Sequence, residues 1–260
     1  MPRFSANLTF LFNEHPFLDR FRAAGEAGFR YVEYMSPYDH DLSTLKRLLE
    51  ETGLEQVLFN LPAGDWAAGD RGIANDPRRT EEFCQGVERA LEYARVLNVK
   101  RINCLVGERL DAVPHAEQWQ TVVTNLRDAA KRLAEDDRWL LVEPLNSYDI
   151  PGFFLTTSRD ALRLFDEVGA ANLKLQYDVY HMQRMEGHLT ETIRKNLRRI
   201  GHIQIADNPG RHQPGTGEIN YPFLLTELDR MGYDGFVGLE YVPEPDTLSS
   251  LGWLKAFGIT

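Results

Sequence analysis

Residues 99–146 read VKRINCLVGERLDAVPHAEQWQTVVTNLRDAAKRLAEDDRWLLVEPLN, and this stretch decides the fold. Val99 to Val106 and Trp139 to Leu145 are short runs rich in aliphatic and β-branched residues, and Glu117 to Ala134 between them is a longer amphipathic stretch. Strand, helix, strand in that order is the unit of a parallel sheet. The same alternation extends in both directions. Upstream lie strands over Ser5–Phe12, Phe29–Tyr34 and Glu55–Leu61, with helices over Phe17–Gly25, Leu42–Glu51 and Arg79–Leu97. Asp41 caps the second of these helices and Thr52-Gly53 stops it. Downstream lie a helix over Ser158–Val168 ended by Gly169, a strand over Leu173–Tyr177, and a helix over Leu189–Leu197. A strand over Gly201–Ala206, a helix over Pro222–Met231 and a strand over Gly235–Tyr241 complete the series. About eight βα units in 260 residues, with no internal linker, predict one domain, an α/β protein with a closed (β/α)8 TIM barrel; such barrels typically take roughly 250 residues. One loop, Pro62–Arg78, is long and punctuated by Gly, Asp and Pro, and loops of that kind in compact domains are usually functional or disordered.

A barrel of this type carries its active site at the C-terminal strand ends. Polar residues closing apolar runs are therefore the candidates: Glu143 after Leu140-Leu141-Val142, Asp178 after Gln176-Tyr177, Gln204 within His202-Ile203-Gln204-Ile205, and Glu240 after Gly238-Leu239. Alternation along the strands sends these four side chains to the lumen. Each acid alone reads as an ordinary ion-pair or capping residue. Three carboxylates and an amide at one end of a barrel repel one another unless a cation sits among them, and all-oxygen ligation fits Mg2+ or Mn2+ better than Zn2+.

Taken together, the motifs resemble the hydroxypyruvate isomerase family, which includes 2-oxo-tetronate isomerases, within the xylose isomerase-like barrels. They are Met1-Pro2-Arg3-Phe4-Ser5-Ala6-Asn7-Leu8, Phe59-Asn60, Gly64-Asp65, Glu143-Pro144-Leu145-Asn146, Asp178-Val179-Tyr180-His181, His202-Ile203-Gln204-Ile205-Ala206, Gly217-Glu218-Ile219-Asn220-Tyr221-Pro222 and Gly238-Leu239-Glu240-Tyr241. The resemblance implies that Glu143, Asp178, Gln204 and Glu240 hold a divalent metal ion, with Glu143 and Glu240 also serving as proton donor and acceptor. Related epimerases carry a His at the position of Gln204, and that departure favours Mg2+. By the same resemblance Asp149 and His181 touch substrate, and Asn60 belongs to the matching loop.

The implied substrate is a small anionic hydroxy-oxo acid. Either hydroxypyruvate goes to tartronate semialdehyde or 2-oxotetronate goes to 3-oxotetronate, and the residues do not separate the two. Arg211, with its neighbour His212, is the candidate grip for the substrate carboxylate, since a guanidinium binds one bidentately. Trp66 and the rest of the Pro62–Arg78 loop are candidates for a lid, with Gly64, Gly69 and Gly72 as its joints. A regular strand is expected to set His202 on the opposite face from Gln204, as a core histidine or one behind the ligands, and Cys104 to be a buried apolar filler.

Other classes are disfavoured. No Gly-x-Gly-x-x-Gly follows a strand and no Walker-type loop is present. A net charge of −10 argues against a nucleic-acid or anionic-membrane face, and with it against an endonuclease of the same superfamily. No apolar run approaches the roughly 20 residues that span a bilayer. Met1-Pro2-Arg3-Phe4 begins no cationic leader, and two cysteines build no disulfide framework, so a cytoplasmic, reduced protein is expected. A C3 epimerase of free ketoses on the same barrel and a non-catalytic sugar-binding barrel are the alternatives within the fold; whether the chain forms a homo-oligomer stays open.

Overall fold

In the computed structural model, which describes residues 2–257, parallel strands close into an eight-stranded barrel paired in chain order. The strands are β1 (Arg3–Asn7), β2 (Tyr31–Glu33), β3 (Glu55–Asn60), β4 (Arg101–Cys104), β5 (Trp139–Val142), β6 (Leu173–Asp178), β7 (Ile200–Ile205) and β8 (Phe236–Leu239), and β8 returns to β1. Around them run α1 (Arg20–Glu26), α2 (Leu42–Thr52), α3 (Thr80–Leu97), α4 (His115–Glu135), α5 (Ser158–Val168), α6 (Val179–Met185), α7 (Leu189–Asn196), α8 (Tyr221–Arg230) and α9 (Thr247–Ser250). Met1, which opens the first family motif, lies outside the described residues.

The predicted helix punctuation is present. The Asp41 carboxylate accepts from Thr44 N at 2.8 Å at the start of α2, and Gly53 takes the left-handed conformation (φ 69°) that ends it. Gly169 (φ 72°) ends α5 in the same way. Strand ends are shorter than their apolar runs. The run expected to extend to Phe12 leaves the sheet at Asn7, where Asn7 O accepts from Phe10 N and Leu11 N and the chain turns. Leu8, Leu11 and Phe12 stay buried, so their hydrophobicity reflects packing under the rim rather than a continuing strand.

Two layers of core position the site. The main cluster fills the space between sheet and helices, with Phe21, Leu45, Val87, Leu126, Leu164 and Leu225 among its members. A smaller inner cluster joins Leu58, Leu141 and Phe236, with Tyr31 and Trp139 against them. Basic side chains lie over these inner rings: Arg3 at 4.2 Å from the Phe236 centroid, and Arg101 at 4.8 Å from Phe236 and 5.2 Å from Trp139. This layer, drawn from the first residues and the middle of the strands, is a floor, and the polar residues of the strand ends stand above it.

The long loop after β3 is tied down over much of its length. Ile73, Ala74, Asn75 and Asp76 are buried, Asn75 N donates to Val106 O, and Asn75 Nδ2 donates to Glu108 O. A Cβ on Gly72 would lie 2.0 Å from Leu105 O, and one on Gly64 would lie 2.2 Å from Asp70 Oδ2. Those two glycines permit close packing, whereas Gly69 has open space around it. Among the described residues no helix is long and apolar enough to cross a membrane.

Candidate active site

Glu143 and Glu240 stand one residue past β5 and β8, Asp178 is the last residue of β6, and Gln204 lies near the end of β7. All four are buried and linked to one another. Gln176 Nε2 donates to Glu143 Oε2 at 2.8 Å and to Gln204 Oε1 at 2.7 Å. Gln204 Nε2 in turn donates to Glu240 Oε2 at 2.6 Å. Arg211 closes the circle, with Nη2 at 2.6 Å from Glu240 Oε1 and 3.7 Å from Asp178 Oδ2. The guanidinium lies over the rings of Phe10 and Tyr180, with centroid distances of 4.9 and 5.2 Å.

Asp178 divides its carboxylate between two tasks. Oδ1 caps α6, accepting from Tyr180 N at 2.8 Å and His181 N at 3.4 Å, while Oδ2 faces the cluster. The cap carries His181 into the site, its Nε2 at 3.5 Å from Asp178 Oδ2 and 4.0 Å from Glu143 Oε1. His181 Nδ1 accepts from Asn146 N at 3.2 Å, and a backbone N–H can only donate. By that bond the ring proton is assigned to Nε2, so His181 presents an N–H to the centre rather than a lone pair.

The remaining candidates separate. Asp149 stands further out: Oδ2 accepts from Asn146 Nδ2 at 3.0 Å and from Tyr180 Oη at 2.9 Å, and Oδ1 pairs with Arg184. Asn60 reaches the cluster through Asn103, whose Nδ2 donates to Asn60 Oδ1 at 3.2 Å and to Glu143 Oε2 at 3.1 Å. Trp66 is 48% exposed, carries Arg71 over its ring at 4.0 Å, and with Asn60, Tyr38 and His40 lines a cavity of about 630 Å3 beside the strand ends. His212 is turned to the rim, with Nδ1 at 2.9 Å from Val242 O, and is not gathered with Arg211. Cys104 is buried, and burial pushes its thiol up to about 12.

Burial governs the electrostatics. It raises the carboxyl of Glu143 well above its ordinary range, with the charges of Glu240 and Asp178 adding to the effect. Asp178 is raised chiefly by burial, against the pull of Arg211. Glu240 is likewise pushed by burial up to about 8, although Arg211 holds it down. Burial and the nearby Arg211 charge keep His181 well below its ordinary range, hence neutral. Two buried oxygens, Glu143 Oε1 and Asp178 Oδ2, have no hydrogen-bond partner. Orphaned acceptors among raised carboxylates are the environment a cation relieves. Ligand atoms of Glu143, Asp178 and His181 lie within 4.8 Å of one another; because His181 bears its proton on Nε2, the donors that fit are oxygens and the fit is to a hard divalent ion.

Residues 21–257 match the model of the xylose isomerase-like TIM barrel family. The chain belongs to this family. Its curated relatives carry the names hydroxypyruvate isomerase and 2-oxo-tetronate isomerase. It is 54% identical to hydroxypyruvate isomerase of Escherichia coli (strain K12), over 99% of this chain and 100% of the relative. It is 46% identical to a 2-oxo-tetronate isomerase of Cupriavidus necator, over 99% of each chain. A solved structure from Brucella melitensis described as an AP endonuclease, family 2, is 44% identical with a TM-score of 0.96, over 99% of each chain. The chain is an enzyme of the isomerase class.

Two members of this isomerase's polar centre, Glu33 and Asn7, escape a reading of strand ends taken one at a time, and His202, expected as a core histidine or one behind the ligands, is buried beside Glu33. Glu33, at the end of β2, is wholly buried, accepts from Ser5 Oγ at 2.6 Å, and has its Oε2 2.8 Å from His202 Nε2. His202 itself shares a face with Gln204, because residues two apart in a strand point the same way; the opposite-face expectation was an error of parity. Asn7 Nδ2 donates to Glu240 Oε2 at 2.8 Å. For Glu33 a signal existed: Tyr31-Val32-Glu33 ends an apolar run in a glutamate, as do Val142-Glu143 and Leu239-Glu240.

Proposed function

We propose that this isomerase moves a proton between adjacent carbons of a small hydroxy-oxo acid, with hydroxypyruvate or 2-oxotetronate as substrate and Glu143 and Glu240 as the proton-carrying pair. The carrying observation is the pair itself: two buried glutamates at the ends of the non-adjacent strands β5 and β8, both raised above the ordinary carboxyl range and turned into one polar centre. Carboxyls raised above their ordinary range can hold and give up the proton that abstraction from and return to carbon require. The names of relatives at 54% and 46% identity support the substrate class.

A divalent ion held by Glu143, Asp178, Gln204 and Glu240, Mg2+ or Mn2+, would supply neutralisation of charge developing on the substrate oxygens. The chain's own groups do the rest. One glutamate takes the proton from the carbon beside the carbonyl and the other returns a proton to its neighbour, through an enediolate. His181 Nε2–H, fixed by Asn146 N, offers a hydrogen bond to a substrate oxygen between Glu143 and Asp178. Arg211 Nε is buried without a partner, and the guanidinium has that donor to give to a substrate carboxylate. The floor of Phe236, Trp139 and Arg101 leaves the strand ends as the way in.

Purified protein assayed on the two acids tests the reading. Turnover of at least one is expected, with solvent deuterium entering the product carbon in D2O to the extent that the carboxyl proton exchanges. Inactivity on both acids with Mg2+ and Mn2+ supplied, set against turnover of a free ketose, would replace this reading with the epimerase alternative.

A further inference from the structure

Gln204 is the one carboxamide among the four proposed cation ligands. A carboxylate offers oxygen whichever way it turns, whereas a carboxamide offers an acceptor on one side and donors on the other. Its orientation is set from behind. Gln204 Nε2 donates to Glu33 Oε1 at 2.8 Å and to Glu240 Oε2 at 2.6 Å, which uses both amide hydrogens. Its Oε1 then faces Gln176 Nε2, on the Glu143 side.

Glu33 is equipped to do this and nothing else in the mechanism uses it. Its carboxylate is ringed by donors: Ser5 Oγ donates to Oε2 at 2.6 Å, Asn7 Nδ2 and Gln204 Nε2 donate to Oε1 at 3.3 and 2.8 Å, and His202 Nε2 lies 2.8 Å from Oε2. The barrel makes room for it: a Cβ on Gly238 of β8 would lie 2.3 Å from Glu33 Oε1. A buried carboxyl is expensive to maintain unless hydrogen-bonding partners satisfy it.

We propose that Glu33 is a positioning residue that pins the Gln204 amide nitrogen and thereby presents the Gln204 carbonyl oxygen to the cation site. The inference rests on the cation reading given above. Outer-shell partners of this kind typically contribute roughly 10- to 100-fold in metal affinity.

Metal-stripped protein titrated with Mn2+ and followed by electron paramagnetic resonance tests it without reference to turnover. Glu33→Gln, which can donate as well as accept and so lets the Gln204 amide turn over, is expected to weaken Mn2+ binding by roughly 10- to 100-fold. Gly238→Ala displaces the same carboxylate while keeping its charge and is expected to weaken binding too; it carries the test should Glu33→Gln fail to fold by circular dichroism. In a Gln204→Glu background there is no amide to orient, and Glu33→Gln is expected to cost no affinity. Equal losses in both backgrounds would mean a field or purely structural effect and overturn the proposal, as would wild-type affinity in a folded Glu33→Gln protein. A wild-type protein that takes up no Mn2+ overturns the cation reading itself, a result distinguishable from these.

Discussion

Replacing Glu143 or Glu240 by glutamine preserves size and one side-chain oxygen while removing the carboxyl proposed to carry the proton. General acid–base catalysis typically contributes roughly 100- to 10,000-fold, so each variant is expected to lose kcat on that scale with a much smaller change in KM. Steady-state kinetics on whichever acid is turned over, with bound cation quantified, reads the split. Near-normal turnover with cation bound would make that glutamate a ligand only and move the base to Asp149 or His181. The structure makes Asp149 a poor substitute: although burial pushes its carboxyl up, hydrogen bonds from Asn146, Tyr180 and Arg184 outweigh that and hold it below the ordinary range. At this scale the sequence shows which residues end apolar runs, and Glu143, Asp178, Gln204 and Glu240 were legible for that reason. The Glu33–His202 pair was not, because it joins β2 to β7 across the lumen and depends on a space that Gly238 leaves open. Nor could the sequence show that Arg211, through its stack on Phe10 and Tyr180, enters the carboxylate cluster while His212 beside it stays on the rim.

The elements followed the hydrophobic alternation, and the departures have local causes. Helix α6 is hidden from the hydrophobic pattern because its cap, Asp178, also closes an apolar run; its two oxygens divide the work, Oδ1 capping the helix and Oδ2 facing the cluster. The β1 run overshot because buried rim residues such as Leu8 and Leu11 look like strand residues in a pattern of hydrophobicity. In the loop after β3, glycines suggest joints, yet Gly72 has φ 108° with no room for a Cβ, while Gly69 has φ 105° in open space. Both substitutions to alanine meet the same backbone strain, of order 1–3 kcal/mol. Gly72→Ala carries in addition a clash with the Leu105 carbonyl, so it is expected to lower the urea midpoint well beyond Gly69→Ala. Equal losses would mean the close approach is not a constraint on this loop.

At the scale of the whole molecule, closure of the barrel forces carboxylates from separate strands into one desolvated centre, and that makes stability depend on pH and, under the cation reading proposed above, on a divalent ion as well. A carboxyl whose folded pKa is raised binds its proton more tightly in the folded state, so its contribution is complete below its ordinary value and is lost as pH rises through the folded value. For Glu240 that window runs from 4.5 to about 8. Glu143 and Asp178 are shifted in the same direction. His181, held neutral by burial and Arg211, acts in the opposite sense: its folded pKa lies below 6.5, so its contribution grows as pH rises and is complete above that value. Acids held low by surface hydrogen bonds, such as Asp41 and Asp246, have finished titrating below the neutral range. Between pH 6.5 and 8 the raised carboxyls therefore dominate, and chelated protein is expected to melt at progressively lower temperature across that interval. A divalent ion stabilises by binding the folded state, and its ligands must be deprotonated, so its effect strengthens as the carboxyls ionise. The rise in melting temperature on adding Mg2+ or Mn2+ should accordingly be larger at pH 8 than at pH 6.5, by calorimetry at constant ionic strength. A cation effect that is flat across the interval, or that is matched by an Asp178→Ala variant, would place the ion somewhere other than among these carboxylates.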